Sequence, residues 1–128
     1  MNAMLAMKQY QQVGVQAQVT EASPHRLIQL LMQGGLDRIY QAMGAIEFGR
    51  VAEKGELIGK SIAIVGGLRE ALDFNEGGEI AQNLDRLYEY MIMRLTDANR
   101  KNDPSLLGEV ADLLREIKLA WDQISPDA

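Results

Sequence analysis

The side chains that could perform catalysis or hold a metal ion are few and scattered. The chain contains one histidine, His25, and no cysteine, so thiolate metal sites and disulfides are excluded. No Asp or Glu follows His25 three or four residues later, which removes a helical ligand pair. Glu76, Glu79 and Asp85 surround one predicted loop, but scattered surface carboxylates are usually only solvated. With no Ser-His-Asp order and no glycine-rich loop after a strand, the sequence predicts no enzyme activity, cofactor or metal.

One chemistry remains for His25, which is phosphorylation in a histidine phosphotransfer domain. Such domains are four-helix bundles with an exposed histidine in the middle of a helix, beside a lysine and a small residue. Here His25 directly follows Ser23-Pro24, a strong helix start signal, and Ile28 and Gln29 follow one turn later. We therefore favour a first-turn histidine that packs or caps locally, with phosphotransfer as the alternative.

Helical periodicity predicts four helices that would position these residues. They run from Ser23-Pro24 to the FGR stretch at 48–50, from about Val51 to Leu72, from near Glu79 through Ala98, and from Asp103-Pro104 to about Ile124. Each is about 20 residues and about 30 Å long, and short connections favour antiparallel neighbours. The predicted fold is all-α, an antiparallel up-down four-helix bundle over residues 23–126. Residues 1–22 fit no helix cleanly and are predicted to form a mobile N-terminal arm.

Composition narrows the class of protein. A chain of 128 residues is large enough for one domain with its own core. The net charge of −5 and the lack of a basic stripe argue against nucleic acid as a partner. No apolar run approaches the roughly 18 residues of a membrane span, and the first residues do not resemble a signal peptide. These features predict a cytoplasmic protein without membrane insertion.

The second predicted helix has more apolar surface than a bundle core requires. Its apolar residues form two adjacent faces that cover an arc of about 180°, against the roughly 100° expected of a bundle helix. The first face holds Val51, Ile58, Ile62, Val65 and Leu72, and the second holds Leu57, Ile64, Leu68 and Ala71. Either the helix is buried on two sides, or the second face is a groove for a partner's apolar helix. The second interpretation predicts that Leu57, Ile64 and Leu68 contact a partner instead of filling the core.

Glycines interrupt the first and second predicted helices at Gly34-Gly35, Gly59 and Gly66-Gly67. Each interior glycine costs roughly 1 kcal/mol of helix stability relative to alanine, and in return it lets another backbone approach closely. For Gly35 a tight crossing inside the bundle is the favoured interpretation. For Gly59 and Gly66, which lie beside the main apolar stripe, a helix from another protein is equally compatible.

The third predicted helix carries a polar line beside its apolar stripe, which is predicted to be buried and consists of Ile80, Leu84, Leu87, Met91, Leu95 and Ala98. Asn83, Tyr90 and Arg94 are spaced i, i+7 and i+11, which places them on one flank of a helix. Asparagine and tyrosine offer directional hydrogen bonds to the backbone of a partly extended ligand. The flank is thus a predicted part of the partner site, the alternative being ordinary polarity between core and solvent.

Six short stretches of the sequence form a recognisable set. They are Y-x-x-V at Tyr10 and Val13, ASPHRLI at 22–28, KGELIGKSI at 54–62, GGEIAQNLDRLYEYM at 77–91, AN-x-x-ND at 98–103 and AW-x-x-I-S-P at 120–126. Each stretch is weak alone, and the combination is highly specific. In this order, across nearly the whole chain, they resemble the FliS family of flagellar export chaperones.

The resemblance implies a chaperone that binds the disordered C-terminal segment of flagellin in outer hydrophobic grooves. It further implies that the chaperone prevents premature polymerisation and delivers flagellin to the flagellar type III export gate, without a nucleotide. In the family an N-terminal arm lies near one groove and is displaced by flagellin, and Tyr10 matches the tyrosine of that arm. Exposed grooves also predict that the free protein forms a homodimer.

Overall fold

A computed structural model describes residues 23–124 of the chain. In that range the chain forms four helices, α1 (Pro24–Glu47), α2 (Val51–Glu70), α3 (Phe74–Lys101) and α4 (Pro104–Asp122). α1 packs against α2 and α4, and α3 completes the ring by packing against the same two helices. The predicted all-α four-helix bundle is confirmed. The predicted arm at 1–22 and residues 125–126 of the predicted domain lie outside the described residues.

The starts of α1 and α4 follow the capping signals in the sequence. The Ser23 hydroxyl accepts a hydrogen bond from the backbone N–H of Arg26 at 3.1 Å, and Pro24 occupies the first helical position. Asp103 accepts from the backbone N–H of Ser105 at 2.9 Å, again with a proline at the first position. Both caps satisfy N–H groups that a helix start leaves free.

α3 begins earlier than the sequence predicts. Asp73 accepts hydrogen bonds from the backbone N–H groups of Asn75 and Glu76, which folds the segment predicted as a loop into one helical turn. Gly78 then leaves the helical conformation with φ 51°, a value that glycine adopts without the strain of a side chain. The regular helix therefore starts at Glu79, as predicted, after one extra capped turn.

The remaining helix ends differ from the predictions by one to three residues. α1 ends at Glu47, and Gly49 with φ 70° turns the chain into α2. α2 ends at Glu70 instead of Leu72, and α4 ends at Asp122 instead of Ile124. α3 instead continues to Lys101, three residues beyond the predicted Ala98, so apolar periodicity alone does not fix where a helix ends.

Large apolar side chains from all four helices fill the centre of the bundle. The largest fully buried ones are Leu31, Met32, Ile39, Ile58, Ile64, Val65, Leu68, Met91, Leu95, Leu107 and Leu114. In α4 the last buried residue within the described range is Leu114, and Ile117 and Trp121 are only half-buried. Burial between α3 and α4 is thus complete where α3 ends and α4 begins, and it is only partial toward the other end of these two helices. None of the described helices combines the length and apolarity that a membrane crossing requires.

Candidate partner-binding surfaces

Two of the three α2 residues predicted to contact a partner belong to the core. Ile64 is completely buried and Leu68 is 2% exposed, so the prediction that they lie in an outer groove is wrong. The reason is that α2 lies between α1 and α3, and its broad apolar arc is covered on two sides. The second apolar face of α2, which holds Ile64 and Leu68, therefore packs against a neighbouring helix instead of facing solvent.

Leu57, one turn before Ser61 on α2, differs from these two residues in its burial. It is half-buried and packs against the core cluster, while its carbonyl accepts a hydrogen bond from the Ser61 hydroxyl at 3.0 Å. Part of the Leu57 side chain is accessible, so its contact with a partner stays a prediction. Val51 was expected on the main buried face, but it is 65% exposed because it stands in the first turn beyond the reach of the core.

Gly35 marks a tight crossing inside the bundle. A methyl group placed on Gly35 would lie 3.1 Å from Cδ2 of Leu114 and 3.3 Å from Cγ2 of Ile64, both shorter than ordinary van der Waals contact. Side chains of α2 and α4 therefore occupy the space that a larger residue would need on α1. The interpretation of Gly35 as an internal close approach is confirmed.

Gly55, Gly59 and Gly66 form an uncovered line on α2, here called the glycine strip. A methyl group at any of the three would have no neighbour within 4 Å. At 100° per residue the three positions lie within a 40° arc on the side of the helix away from the core, over about 17 Å. The packing of the described residues therefore does not use the space that these glycines leave.

The polar flank of α3 is linked to α4 by Glu109, a residue that sequence reasoning did not single out. The Tyr90 hydroxyl donates to Oε2 of Glu109 at 2.7 Å, and Nε of Arg94 donates to Oε1 at 2.7 Å. The Arg94 guanidinium also stands 5.8 Å from the centre of the Tyr90 ring. Asn83 is exposed and receives only a long 3.5 Å contact from Arg86. The structure thus joins Tyr90 and Arg94 and leaves Asn83 two turns away.

This linkage shifts the protonation equilibria of its members. The hydrogen bonds from Arg94 and then from Tyr90 lower the pKa of Glu109. The hydrogen bond to Glu109 raises the pKa of Tyr90. At neutral pH the flank therefore holds an ionised carboxylate between a guanidinium and a neutral phenol. The only signal for Glu109 in the sequence was its position beside the apolar stripe of α4, next to the helix that it contacts.

Partly exposed apolar side chains on the first half of α3 and the second half of α4 form a candidate surface, here called the trough. Because Glu109 pairs with Tyr90 and Arg94, the antiparallel register places Leu87 near Leu113 and Ile80 beyond Ile117, opposite the last turn of α4. Ile80 is 72% exposed, and the other three residues are half-buried. Sequence periodicity assigned Ile80 to the buried stripe of α3. It is exposed instead because α4 no longer covers this end of the bundle.

His25 connects the start of α1 to the end of α4. Its ring stacks on that of Trp121 with centroids 5.1 Å apart and 14° between the planes. Nε2 of His25 lies 3.0 Å from the Trp121 carbonyl oxygen, and the indole N–H of Trp121 donates to the His25 carbonyl at 3.0 Å. Nε2 must carry a proton to make this bond. The predicted local packing role is confirmed, and the geometry gives phosphotransfer no support.

Residues 23–124 contain no group of three His, Asp or Glu that could hold a metal ion. Tyr10, the seventh residue of the predicted partner site, lies outside the described residues. The candidate surfaces of the described range are therefore the glycine strip, the α3 flank and the trough. All three favour contact with another polypeptide over chemistry on a small molecule.

Comparison with known proteins identifies the family. Residues 6–128 match the family model described as flagellar protein FliS. The chain belongs to the FliS family. It is similar to the flagellar secretion chaperone FliSB of Pseudomonas aeruginosa, with 67% identity over 125 residues covering 98% of this chain and 99% of that protein.

More distant relatives extend the similarity across genera. The flagellar secretion chaperone FliS of Salmonella typhimurium is 47% identical over 95% of this chain and 91% of its own length. The FliS of Vibrio cholerae is 44% identical over 95% of this chain and 90% of its own length. The resemblance noted in the sequence is thereby confirmed, and so is the assignment to chaperones of flagellum biogenesis.

Proposed function

We propose that the chain is a cytoplasmic chaperone that binds the disordered C-terminal segment of flagellin on the outside of the bundle. In this role it keeps flagellin from polymerising prematurely and delivers it to the flagellar type III export gate. Membership of the FliS family supports the general class. The surfaces of α2, α3 and α4 support the binding of an extended or helical polypeptide.

The glycine strip is the observation that carries the proposal. Three interior glycines lower helix stability by roughly 3 kcal/mol relative to alanines, and no described neighbour fills the space above them. Because glycine has no side chain, a glycine on a helix surface lets the backbone of a second helix approach closely. A flagellin helix seated on the strip would bury its own apolar face and cover this part of α2.

The trough and the α3 flank suit other parts of the same ligand. Ile80 and Met93 are exposed by 72% and 52%, and methionine adapts its shape to irregular apolar surfaces. Tyr90 and Asn83 add hydrogen-bonding groups beside these apolar contacts. A ligand that wraps the bundle would use all three surfaces in succession, as a segment that folds on binding does.

The energetics fit a complex that must be dismantled. Ordering a disordered segment costs about 2–5 kcal/mol of the gross interaction energy. Burial of apolar area offsets that cost, and the affinity that remains permits release at the export gate without a nucleotide. Before flagellin arrives, the exposed apolar surfaces favour a homodimer, and the arm at 1–22 with Tyr10 is proposed to shield part of them.

The direct test places bulk on the glycine strip. Gly59→Leu and Gly66→Leu put side chains into open space and should leave the bundle folded. Both should weaken flagellin binding by more than about tenfold, or 1.4 kcal/mol, as measured by calorimetry. Gly44→Leu is the matched control, because a side chain at Gly44 on α1 also meets nothing within 4 Å.

The choice of ligand separates the outcomes. Flagellin should bind, and flagellin without its C-terminal segment should not. If both strip variants bound flagellin as tightly as Gly44→Leu does, the strip would have no part in the site. If truncated flagellin bound as well as the intact protein, the C-terminal segment would not be the ligand.

A further inference from the structure

A small cavity lies at the end of the bundle where α1 turns into α2, away from the trough. Its volume is about 160 Å³, below the roughly 300–1,000 Å³ of pockets for drug-sized ligands. The apolar part of its wall comes from Ala45, Ile46 and Val51. A space of this size with such walls fits one aliphatic residue and not a cofactor or metabolite.

The polar part of the wall contains a buried lysine. Lys54 is 5% exposed, and its ammonium donates to the backbone carbonyl of Asn99 at 2.9 Å and to Oδ1 of Asn102. These bonds cap the end of α3, where the helix dipole supplies about half a negative charge. An ammonium has three N–H donors, and the described residues accept hydrogen bonds from two of them.

Lys54 has no carboxylate partner within residues 23–124. No carboxylate of that range lies within 4.0 Å of its ammonium. The nearby Asp103 accepts hydrogen bonds from Ser105 instead. Arg50 also lines the cavity, and its contact with Glu53 is an exposed pair at 3.6 Å. A buried cation without an anionic partner is costly, so the cavity is complementary to a carboxylate.

One chemical group matches both halves of the wall. The C-terminal residue of a polypeptide carries an apolar side chain and a free carboxylate on the same carbon atom. An internal Asp or Glu would bring the carboxylate but leave the apolar wall at Ile46 and Val51 uncovered. Capture of a chain terminus is a known mode of peptide recognition.

We propose that this cavity receives the C-terminal residue of the bound polypeptide, with its carboxylate on the Lys54 ammonium and its side chain against Ile46 and Val51. The inference rests on the proposed function, because the polypeptide is the C-terminal segment of flagellin. Val51 lines the cavity at the start of α2, and the glycine strip begins one turn later at Gly55. A ligand that lies along the strip therefore reaches the cavity with its end.

The test compares two synthetic peptides of the flagellin C-terminal segment, one with a free carboxylate and one with a C-terminal amide. Calorimetry with the full chain should show that amidation weakens binding about tenfold. Amide resonances of Gly49 and Val51 should shift with the free-acid peptide and much less with the amide.

Two variants locate the effect. Lys54→Met should bind both peptides equally weakly, because the group that distinguishes them is gone. Lys60→Met is the matched control, since Lys60 lies six residues further along α2 and pairs with Glu56 at the surface. It should retain the tenfold preference for the free acid. Lys54→Met could lose the cap of α3 and fail to fold. In that case the affinities of the unmodified chain for the two peptides still test the inference.

The inference and the proposed function fail in different ways. Equal affinity of the unmodified chain for both peptides, with no resonance shift at Gly49 and Val51, would overturn the inference and leave flagellin binding intact. Absence of binding by either peptide would overturn the proposed function and the inference with it. A preference for the free acid that survives in Lys54→Met would place the carboxylate elsewhere.

Discussion

Glycines that face the two sides of α2 have opposite surroundings. On the inward side, a methyl group on Gly35 of α1 would lie 3.3 Å from Cγ2 of Ile64. On the outward side, a methyl group on Gly59 or Gly66 would meet nothing within 4 Å. The difference teaches that a glycine in a helix indicates a close approach only after the facing element is known.

The largest expected effect is on the inward face. Ile64→Ala should lower the free energy of unfolding by about 2–5 kcal/mol, because it removes buried apolar groups and leaves a cavity between α2 and Gly35 of α1. Chemical denaturation measures this loss. Flagellin affinity of the folded fraction should change by less than about threefold, since Ile64 is completely buried.

A different outcome for Ile64→Ala would break the contrast between the faces. If stability changed little while flagellin affinity fell more than about tenfold, Ile64 would become accessible during binding. The inward face would then contribute to the partner site, as the sequence alone suggested.

The sequence predicted the helices well because their signals are local. The caps at Ser23 and Asp103 involve residues only two or three positions apart, and periodicity of 3.6 identifies each buried stripe. The assignment of Ile64 and Leu68 failed because it required the positions of α1 and α3 around α2, which no local pattern contains. Ile80 failed for the same reason, since its exposure depends on where α4 ceases to cover α3.

The candidate site was predictable only where one helix defines it. Tyr90 and Arg94 share a flank by spacing alone, and the structure keeps them together. Their link to Glu109 and the buried position of Lys54 join residues that are 15 to 48 positions apart. Long-range pairs of this kind depend on helix order and register, which the sequence of one chain does not specify.

The second prediction compares glycines directly. Gly35→Ala should destabilise the bundle by about 1–3 kcal/mol, because Leu114 and Ile64 must move to accept the methyl group. Gly66→Ala should stabilise it by about 0.5–1 kcal/mol through helix propensity alone. Thermal unfolding should show a lower Tm for Gly35→Ala and a higher Tm for Gly66→Ala. A Tm change of the same sign in both variants would remove the distinction between the two positions.

The third prediction concerns Leu57, which lies between the two faces. Leu57→Ala should lower the free energy of unfolding by about 1–2 kcal/mol, less than Ile64→Ala does. The reason is that the Leu57 side chain is only half-buried, so less apolar area is removed from water on folding. If its accessible part contacts flagellin, Leu57→Gln should weaken binding by more than about tenfold. Calorimetry on the folded variant checks this, and unchanged affinity would assign Leu57 wholly to the core.

The smallest expected effect is on the polar flank, and it depends on pH. Glu109 has a pKa lowered by Arg94 and Tyr90 in the folded state, so its link stabilises the protein above the ordinary glutamate pKa of about 4.3. That contribution is lost as the pH falls through the lowered value. The pKa of Tyr90 is raised, so its contribution is present below the ordinary tyrosine pKa of about 10 and is lost as the pH rises through the raised value.

Glu109→Gln should therefore lower Tm by about 2 °C at neutral pH, the small effect expected of a surface linkage. The difference from the unmodified chain should begin to shrink as the pH falls below the ordinary glutamate pKa of about 4.3, and it should vanish below the lowered pKa of folded Glu109, where the residue is protonated in both states. Thermal unfolding between about pH 3 and pH 8 measures this, with Glu116→Gln on the exposed side of α4 as the control. A Tm difference that stayed constant to the acid limit would mean that the flank is held by packing and not by charge. Packing would then stabilise the outer surface of α3, as it does the inward face of α2. The contrast between a packed face and a face without packing partners would hold for α2 alone.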